Sequence, residues 1–409
     1  MIQQDRDTCR LLAKHPELSR RTPIVLGGHD HEVYIEEAGK STIVKVGLDV
    51  EQIGVVDIWW TSRGQLKSQI SLVPSDEFDI DPIGMDFADK KAIELEKFLS
   101  IPLAILPRGG STKKVRFEES NVASWLLSVL KRGLSLLSPS EPVELVMMQG
   151  GAIRGKANYD DKHLFTMGDL YNEFAFETPL GIAHVPGSVI AESVRSTRTA
   201  VKPAPQFVHL DMDCNVTGHH NLTAINGKPI QPEKIYKIVT WNNTLNGVND
   251  IQPFFGYIQG NPMAVDYDCC PPAKEVALKI LLMDAWNYLL FVSGLDSESE
   301  EKHAGLSKDG DQEIPYNTCH LQHTTTWSAE ADISLTIINV FEEMDQDKNN
   351  MVDYDELCNF IKKQNQHPLF HNCAIAQEMI KMLGLSQGTG VFRKEDMVDS
   401  LMINNQILS

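Results

Sequence analysis

Three short stretches of this 409-residue chain combine residue types at spacings that could do chemistry. In DQDKNNMVDYDE, residues 345–356, Asp345, Asp347 and Asn349 put side-chain oxygens at the first, third and fifth places. Met351 stands at the seventh place, and Asp353 and Glu356 add carboxylates at the ninth and twelfth. Such a set of hard oxygen donors suits a hard divalent cation. In IVLGGHDHE, residues 24–32, an apolar strand meets two glycines and then His29 and His31. In extended backbone these imidazoles project on one side, as half of a site for divalent ions. In VMMQGGAIRG, residues 146–155, a buried-looking strand runs into Gly150 and Gly151, and Arg154 follows. A guanidinium presents a planar fork to phosphate or carboxylate, and glycines let backbone amides approach an anion. Taken singly, Arg154 fits a structural ion pair equally well, and the histidine pair fits a surface loop.

The elements that must hold these groups are legible from hydrophobic periodicity. Residues 1–75 alternate short β-rich runs with turns behind a leading helix, an α/β pattern. A Pro- and Asp-rich connector and an amphipathic helix near 86–99 form a spacer over 76–100. Residues 101–295 mix strands (143–148, 236–241) with helices (121–134, 273–292) as a mixed α/β domain would. In the first of these helices Val122, Trp125, Leu126, Val129 and Leu130 make one apolar face, with Asn121 as the N-cap. Residues 296–326 are charged and serine-rich, a solvated linker, and 327–409 form two helix-loop-helix units.

Composition bounds the partners. With 37 Lys+Arg against 56 Asp+Glu the net charge is −19, which disfavours nucleic acid and anionic membranes and favours cations. Seven cysteines without a disulfide framework, and no legible signal peptide, give a cytoplasmic expectation. Sequons at Asn215, Asn221 and Asn242 matter only in a secreted chain.

Residues 345–356 resemble the calcium loop of an EF-hand, with Asn350 at the sixth place where glycine is usual. Asparagine tolerates the left-handed turn required there better than other side-chain-bearing residues. Apolar faces flank the loop: Ile333, Ile337, Phe341 and Met344 before it, Leu357, Phe360 and Ile361 after it. The partner slot, residues 384–395, keeps Val391 and Glu395, but Gly384, Ser386 and Gly388 replace the chelating residues, so it is expected to pack without metal. The resemblance implies calcium as cofactor and a surface for a protein partner.

The strand, two glycines and His-Asp-His resemble the last metal motif of the calcineurin-like metallophosphoesterases. In that family the two histidines each hold one ion of a dinuclear site, zinc or manganese, that generates hydroxide. The middle domain resembles the 5'-nucleotidase C-terminal domain. Arg116, Glu119 and Asn121 match its R-x-x-E-x-N helix start, and Gly150, Gly151, Ile153 and Arg154 match N-G-G-x-I-R with Gln149 in place of Asn. LYNEFAFETPL and INGKPIQPEKIYKIVT resemble two further runs. The resemblance spans about residues 1–295. It implies a phosphorylated small molecule such as a nucleotide as ligand, held by Arg116, Gly150, Gly151, Arg154 and a base-stacking Phe176. Phe176 by itself, beside Phe174 and Ala175, reads as core.

Two departures weaken the nucleoside clamp: Asn243 and Asn249 stand where the family has a base-stacking aromatic and a G-G-D-G-F turn. The other motifs of a two-metal site do not precede Gly27, and two ligands cannot hold two ions against water. The expectation is therefore a partial metallophosphoesterase α/β sandwich, then a mixed α/β 5'-nucleotidase C-terminal-like domain, then an all-α EF-hand domain. The chain reads as a calcium-binding 5'-nucleotidase relative, a phosphoric-ester hydrolase of nucleotide catabolism when full length, inactive in this truncated form. The alternative is a non-catalytic calcium-responsive binding protein.

Overall fold

The computed structural model describes residues 5–19, 23–29, 32–64, 66–199, 204–266, 271–298, 330–363, 367–370, 373–383 and 390–408. The chain forms two compact units, residues 1–93 and 94–409.

In the first unit, α1 (Arg6–Lys14) starts where the Asp5 side chain accepts the Thr8 N–H, a standard N-cap. Its Cys9 and Ala13, one turn apart, pack with Val25, Ala38 and Ile43 in a small core. Three strands lie beside it: β1 (Ile24–Leu26), β2 (Val33–Ala38) and β3 (Ser41–Val46). β3 is central, parallel to β1 and antiparallel to β2. β4 (Gln52–Trp60) and β5 (Leu66–Pro74) form a hairpin of their own. The next helix, α2 (Pro82–Leu99), starts earlier than the 86–99 expected and buries none of its residues, so its apolar stripe is not a core face.

The second unit is built on a five-stranded mixed sheet. β6 (Pro102–Ile105) and α3 (Asn121–Leu137) precede its first strand, β7 (Leu145–Gln149). α4 (Met167–Glu173), β8 (Leu180–Pro186), α5 (Gly187–Arg198), β9 (Val208–Leu210), β10 (Ile235–Trp241) and β11 (Val265–Asp266) follow. The strand order is β9-β7-β10-β8-β11, and only the β7–β10 pair is parallel. All five residues of β7 are buried, as a strand covered on both faces requires. The face of α3 read from the sequence is the buried one, but its cap is Ser120, whose side chain accepts the Ala123 N–H. Asn121 is already inside the helix. α6 (Ala273–Glu298) runs past the 273–292 expected and is apolar on nearly every side. Among the described residues no helix is long and apolar enough to cross a membrane.

After α6 come α7 (Glu330–Met344), β12 (Met351–Val352), α8 (Tyr354–Lys363), α9 (Ala376–Leu383), β13 (Phe392–Arg393) and α10 (Lys394–Leu408). β12 and β13 pair antiparallel, with Val352 opposite Phe392 and Met351 opposite Arg393. That pairing moves the second loop by one residue from its expected register. Phe392, not Val391, faces Val352, and the Arg393 N–H bonds Asp396 as the Asp353 N–H bonds Glu356. Asp396, not Glu395, is thus the counterpart of Glu356. The larger apolar side chain takes the buried central place: Phe392 is fully buried and Val391 is not. Residues 384–389, which include Gly384, Ser386 and Gly388, lie outside the described residues. One continuous apolar core joins Ile101, α3 and α6 to these helices as far as Leu401.

Candidate functional site: an arginine turn and an oxygen-lined loop

The end of β7 places Arg154. Gly150 is fixed there by close packing, since a Cβ on it would lie 2.2 Å from the Val115 carbonyl oxygen. Its N–H donates to Phe207 O at 2.7 Å, and the Gly151 N–H donates to Pro205 O at 2.8 Å. These amides are committed inside the fold, so the two glycines admit neighbouring backbone rather than cradle an anion. Arg154 turns back, its Nε donating to Gly151 O at 2.8 Å, and its guanidinium sits 4.9 Å from the Phe176 ring centroid.

Phe176 is 50% exposed whereas Phe174 is fully buried, so the neighbour and not Phe176 serves the core. Burial first, and then the positive charge of Arg116, holds the Arg154 guanidinium below its ordinary range. A partly desolvated guanidinium that feels a second arginine's positive charge, with an exposed ring alongside, forms a place for an anion that carries an aromatic or apolar part. Glu119, from the same motif, is instead tied to the buried Arg198 in an ion pair.

Sequence reading missed the group that holds this turn. Glu173 is fully buried at the C-terminal end of α4, the helix that a Thr166–Asp169 capping box starts. Its carboxylate accepts from Thr112 Oγ1 at 2.8 Å, Tyr159 OH at 2.7 Å and the Gly155 N–H at 3.2 Å. Its carbonyl accepts the Arg154 N–H at 2.8 Å. Burial raises the Glu173 pKa, the three hydrogen bonds opposing that shift. The available signal was spacing: Glu173 falls three residues after Leu170 and one before Phe174, on the buried face of a short helix. His209 was also missed; on β9 it is fully buried and donates from Nε2 to Val115 O at 2.6 Å, bracing the carbonyl against which Gly150 rests.

Two departures from the family pattern, Gln149 in the glycine motif and Asn249 at the clamp, meet in space. Asn249 Nδ2 donates to Gln149 Oε1 at 2.5 Å, and Gln149 Nε2 donates to Thr244 Oγ1 at 3.1 Å. Asn249 also lies beside Gly151, in a left-handed backbone conformation with φ +66°. A polar chain of three side chains therefore closes the wall beside the arginine turn.

In the loop 345–356, carboxylate oxygens of Asp345, Asp347 and Glu356 lie within 4.8 Å of one another. Asn350 has φ +63°, the left-handed turn that place demands. Asp345 accepts the Asn349 and Asn350 N–H groups, and Asn349 Oδ1 accepts from Met351 N at 2.7 Å. Asp353 caps α8 by accepting the Glu356 N–H at 3.0 Å. This donor set fits a hard cation. His29 does not build a comparable site. It leaves β1 with φ +83°, not the extended backbone that would align it with its neighbour, and Lys45 Nζ donates to Gly28 O at 2.9 Å beside it. His31 lies outside the described residues. Among the described residues no group of three metal-binding side chains includes His29, and they do not fit a dinuclear centre.

Residues 98–255 match the family model described as 5'-nucleotidase, C-terminal domain, and both arginines, the glycine turn and Phe176 fall inside that span. No curated protein matches the chain. Among solved structures it is similar to a putative 5'-nucleotidase from Staphylococcus aureus in complex with alpha-ketoglutarate, at 15% identity over 65% of this chain and 54% of that one, TM-score 0.46. It is also similar to a 5'-nucleotidase precursor from Thermus thermophilus, at 15% identity over 63% and 56%, TM-score 0.38. A third is the NAD nucleotidase of Haemophilus influenzae, at 13% identity over 63% and 59%, TM-score 0.33. The chain spans a little over half the length of each of these three. Residues 98–255 of this mixed α/β fold thus match, as a domain, the C-terminal domain of 5'-nucleotidases.

Proposed function

We propose that this chain binds a phosphorylated small molecule of the nucleotide kind on the Arg116–Arg154–Phe176 face, and calcium in the loop 345–356. It supplies the substrate-binding part of a 5'-nucleotidase-type phosphoric-ester hydrolase. The observation that carries the first half is the pairing of two like-charged guanidiniums, one desolvated and turned over an exposed ring, on the turn that the domain model covers. An entering phosphate would relieve the repulsion between Arg116 and Arg154 and accept their N–H groups, while Phe176 would stack the organic part. Glu173 holds the turn from behind and touches no ligand. The clamp with Asn243 in the aromatic's place and Asn249 in that of the glycine-rich turn favours a ligand gripped more through its phosphate than its base.

The gathered carboxylates of Asp345, Asp347 and Glu356 and the left-handed Asn350 support calcium at the second site. Hydrolysis by a zinc or manganese pair at His29 and His31 requires ligands beyond those described, so binding is the activity to seek first. Equilibrium dialysis with adenosine monophosphate, inorganic phosphate and adenosine tests the reading. The monophosphate should bind tightest, inorganic phosphate should compete with it, and adenosine should bind weakly. Equal retention of adenosine and its monophosphate would remove the arginines from the site.

A further inference from the structure

We propose that the calcium-loop lobe, residues 330–408, holds α6 of the α/β domain as its bound helix, so that calcium occupancy is read out in α6 and in the α3 helix behind the arginine turn. This rests on the calcium reading above and extends it to regulation. A helix that is apolar all round must be covered all round; among the described residues the α/β domain covers α6 on one side and the lobe on another. On one side α3 approaches closely enough that a Cβ on Gly133 would lie 2.6 Å from Val276 and 2.9 Å from Ile280. Arg132 there makes a two-pronged ion pair with Asp284, with one N–H···O at 2.9 Å. Two residues on, and so on nearly the opposite side of the helix, Trp286 faces the lobe.

Trp286 is fully buried, and its Nε1 donates to Met379 O on α9 at 3.2 Å. Its ring meets Phe392 edge-on at 5.5 Å, and Phe392 meets Phe341 of α7 at 6.1 Å. Phe392 is the residue paired with Val352 in the calcium loop. Two contacts therefore lead from the loop to the indole of α6. Tyr288 adds a second hold, against His367 at 4.2 Å and Phe370 at 6.0 Å. The loop has something to transmit. Glu356 Oε1 accepts the Gln346 and Asp347 N–H groups and Oε2 accepts the Asp353 N–H. A cation taking both oxygens displaces these bonds at the start of α8 and resets α8 against α7. At the far end, α3 begins at its Ser120 cap, four residues after Arg116.

Hydrogen exchange of the full chain, with and without calcium, tests this, alongside calorimetry of calcium binding and the Glu356→Gln variant. Calcium at 100 times its Kd stabilises whatever must open with the loop, slowing exchange by as much as ~100-fold. We expect slowing of at least about tenfold over residues 278–290, and of smaller size over 121–134, in the wild type and neither in Glu356→Gln. Calcium heat without slowing in 278–290, or the same slowing in the variant, overturns the inference and leaves the calcium site standing. Absence of calcium heat overturns both.

Discussion

Acid should loosen the floor of the arginine turn through His209. The ring donates from Nε2 to Val115 O at 2.6 Å, while Nδ1 is buried without a hydrogen-bond partner and the Phe207 ring lies 5.1 Å away. The fold therefore holds the neutral, Nε2-protonated imidazole. Burial pulls its pKa from 6.5 down to about 4, with the Arg198 charge adding to the shift and the Val115 bond opposing it. A depressed histidine stabilises fully above its unfolded value. As pH falls below 6.5 the unfolded chain takes a proton that the fold refuses, and stability is lost progressively down to about 4. Between pH 7.5 and pH 5 that amounts to about 2 kcal/mol. Urea midpoints at the two pH values, for the wild type and for His209→Gln, isolate it. Glutamine can still donate to Val115 O but does not titrate, so its acid loss should be smaller by about 2 kcal/mol. Other groups, including His367, which burial also pushes down to about 4, cancel in the comparison. An equal acid loss in both proteins would refute the neutral buried histidine.

Further outcomes follow from burial. Lys131→Met should cost about 3 to 5 kcal/mol in denaturant melts, because it strands the fully buried Asp211 carboxylate that Lys131 Nζ meets at 3.0 Å. Glu173→Ala should cost about 4 kcal/mol, leaving two hydroxyls and the Gly155 N–H without their acceptor, whereas Tyr159→Phe should cost only about 1 kcal/mol. Gly150→Ala should lower the melting temperature and weaken nucleotide binding together, since its methyl would collide with Val115 O.

Much of this was legible because short-range chemistry fixes it. The apolar stripe of α3, the strand leading to Gly150 and the oxygen spacing of 345–356 are all set within a few residues, and the structure places them where periodicity puts them. What stayed hidden depends on distant partners. Nothing near Glu173 announces Thr112 or Tyr159, and nothing near His209 announces Val115. The role of α6 was hidden for the same reason: its second covering surface lies beyond a long charged stretch. The second loop slipped by one residue because a glutamate at the expected place outweighed the buried volume of Phe392. Glycine spacing was read correctly at Gly150 and Gly151, but its purpose was not, as both amides are spent on Phe207 and Pro205.

The central claim is that Arg154, turned over Phe176 beside Arg116, grips the phosphate of a small ligand. Calorimetric titration of adenosine monophosphate into the wild type and Arg154→Ala measures it directly. Loss of a charge-assisted fork predicts affinity weakened by at least about tenfold, with the melting temperature held, because the Arg154 side chain makes no buried ion pair among the described residues. Unchanged affinity in Arg154→Ala would contradict the account.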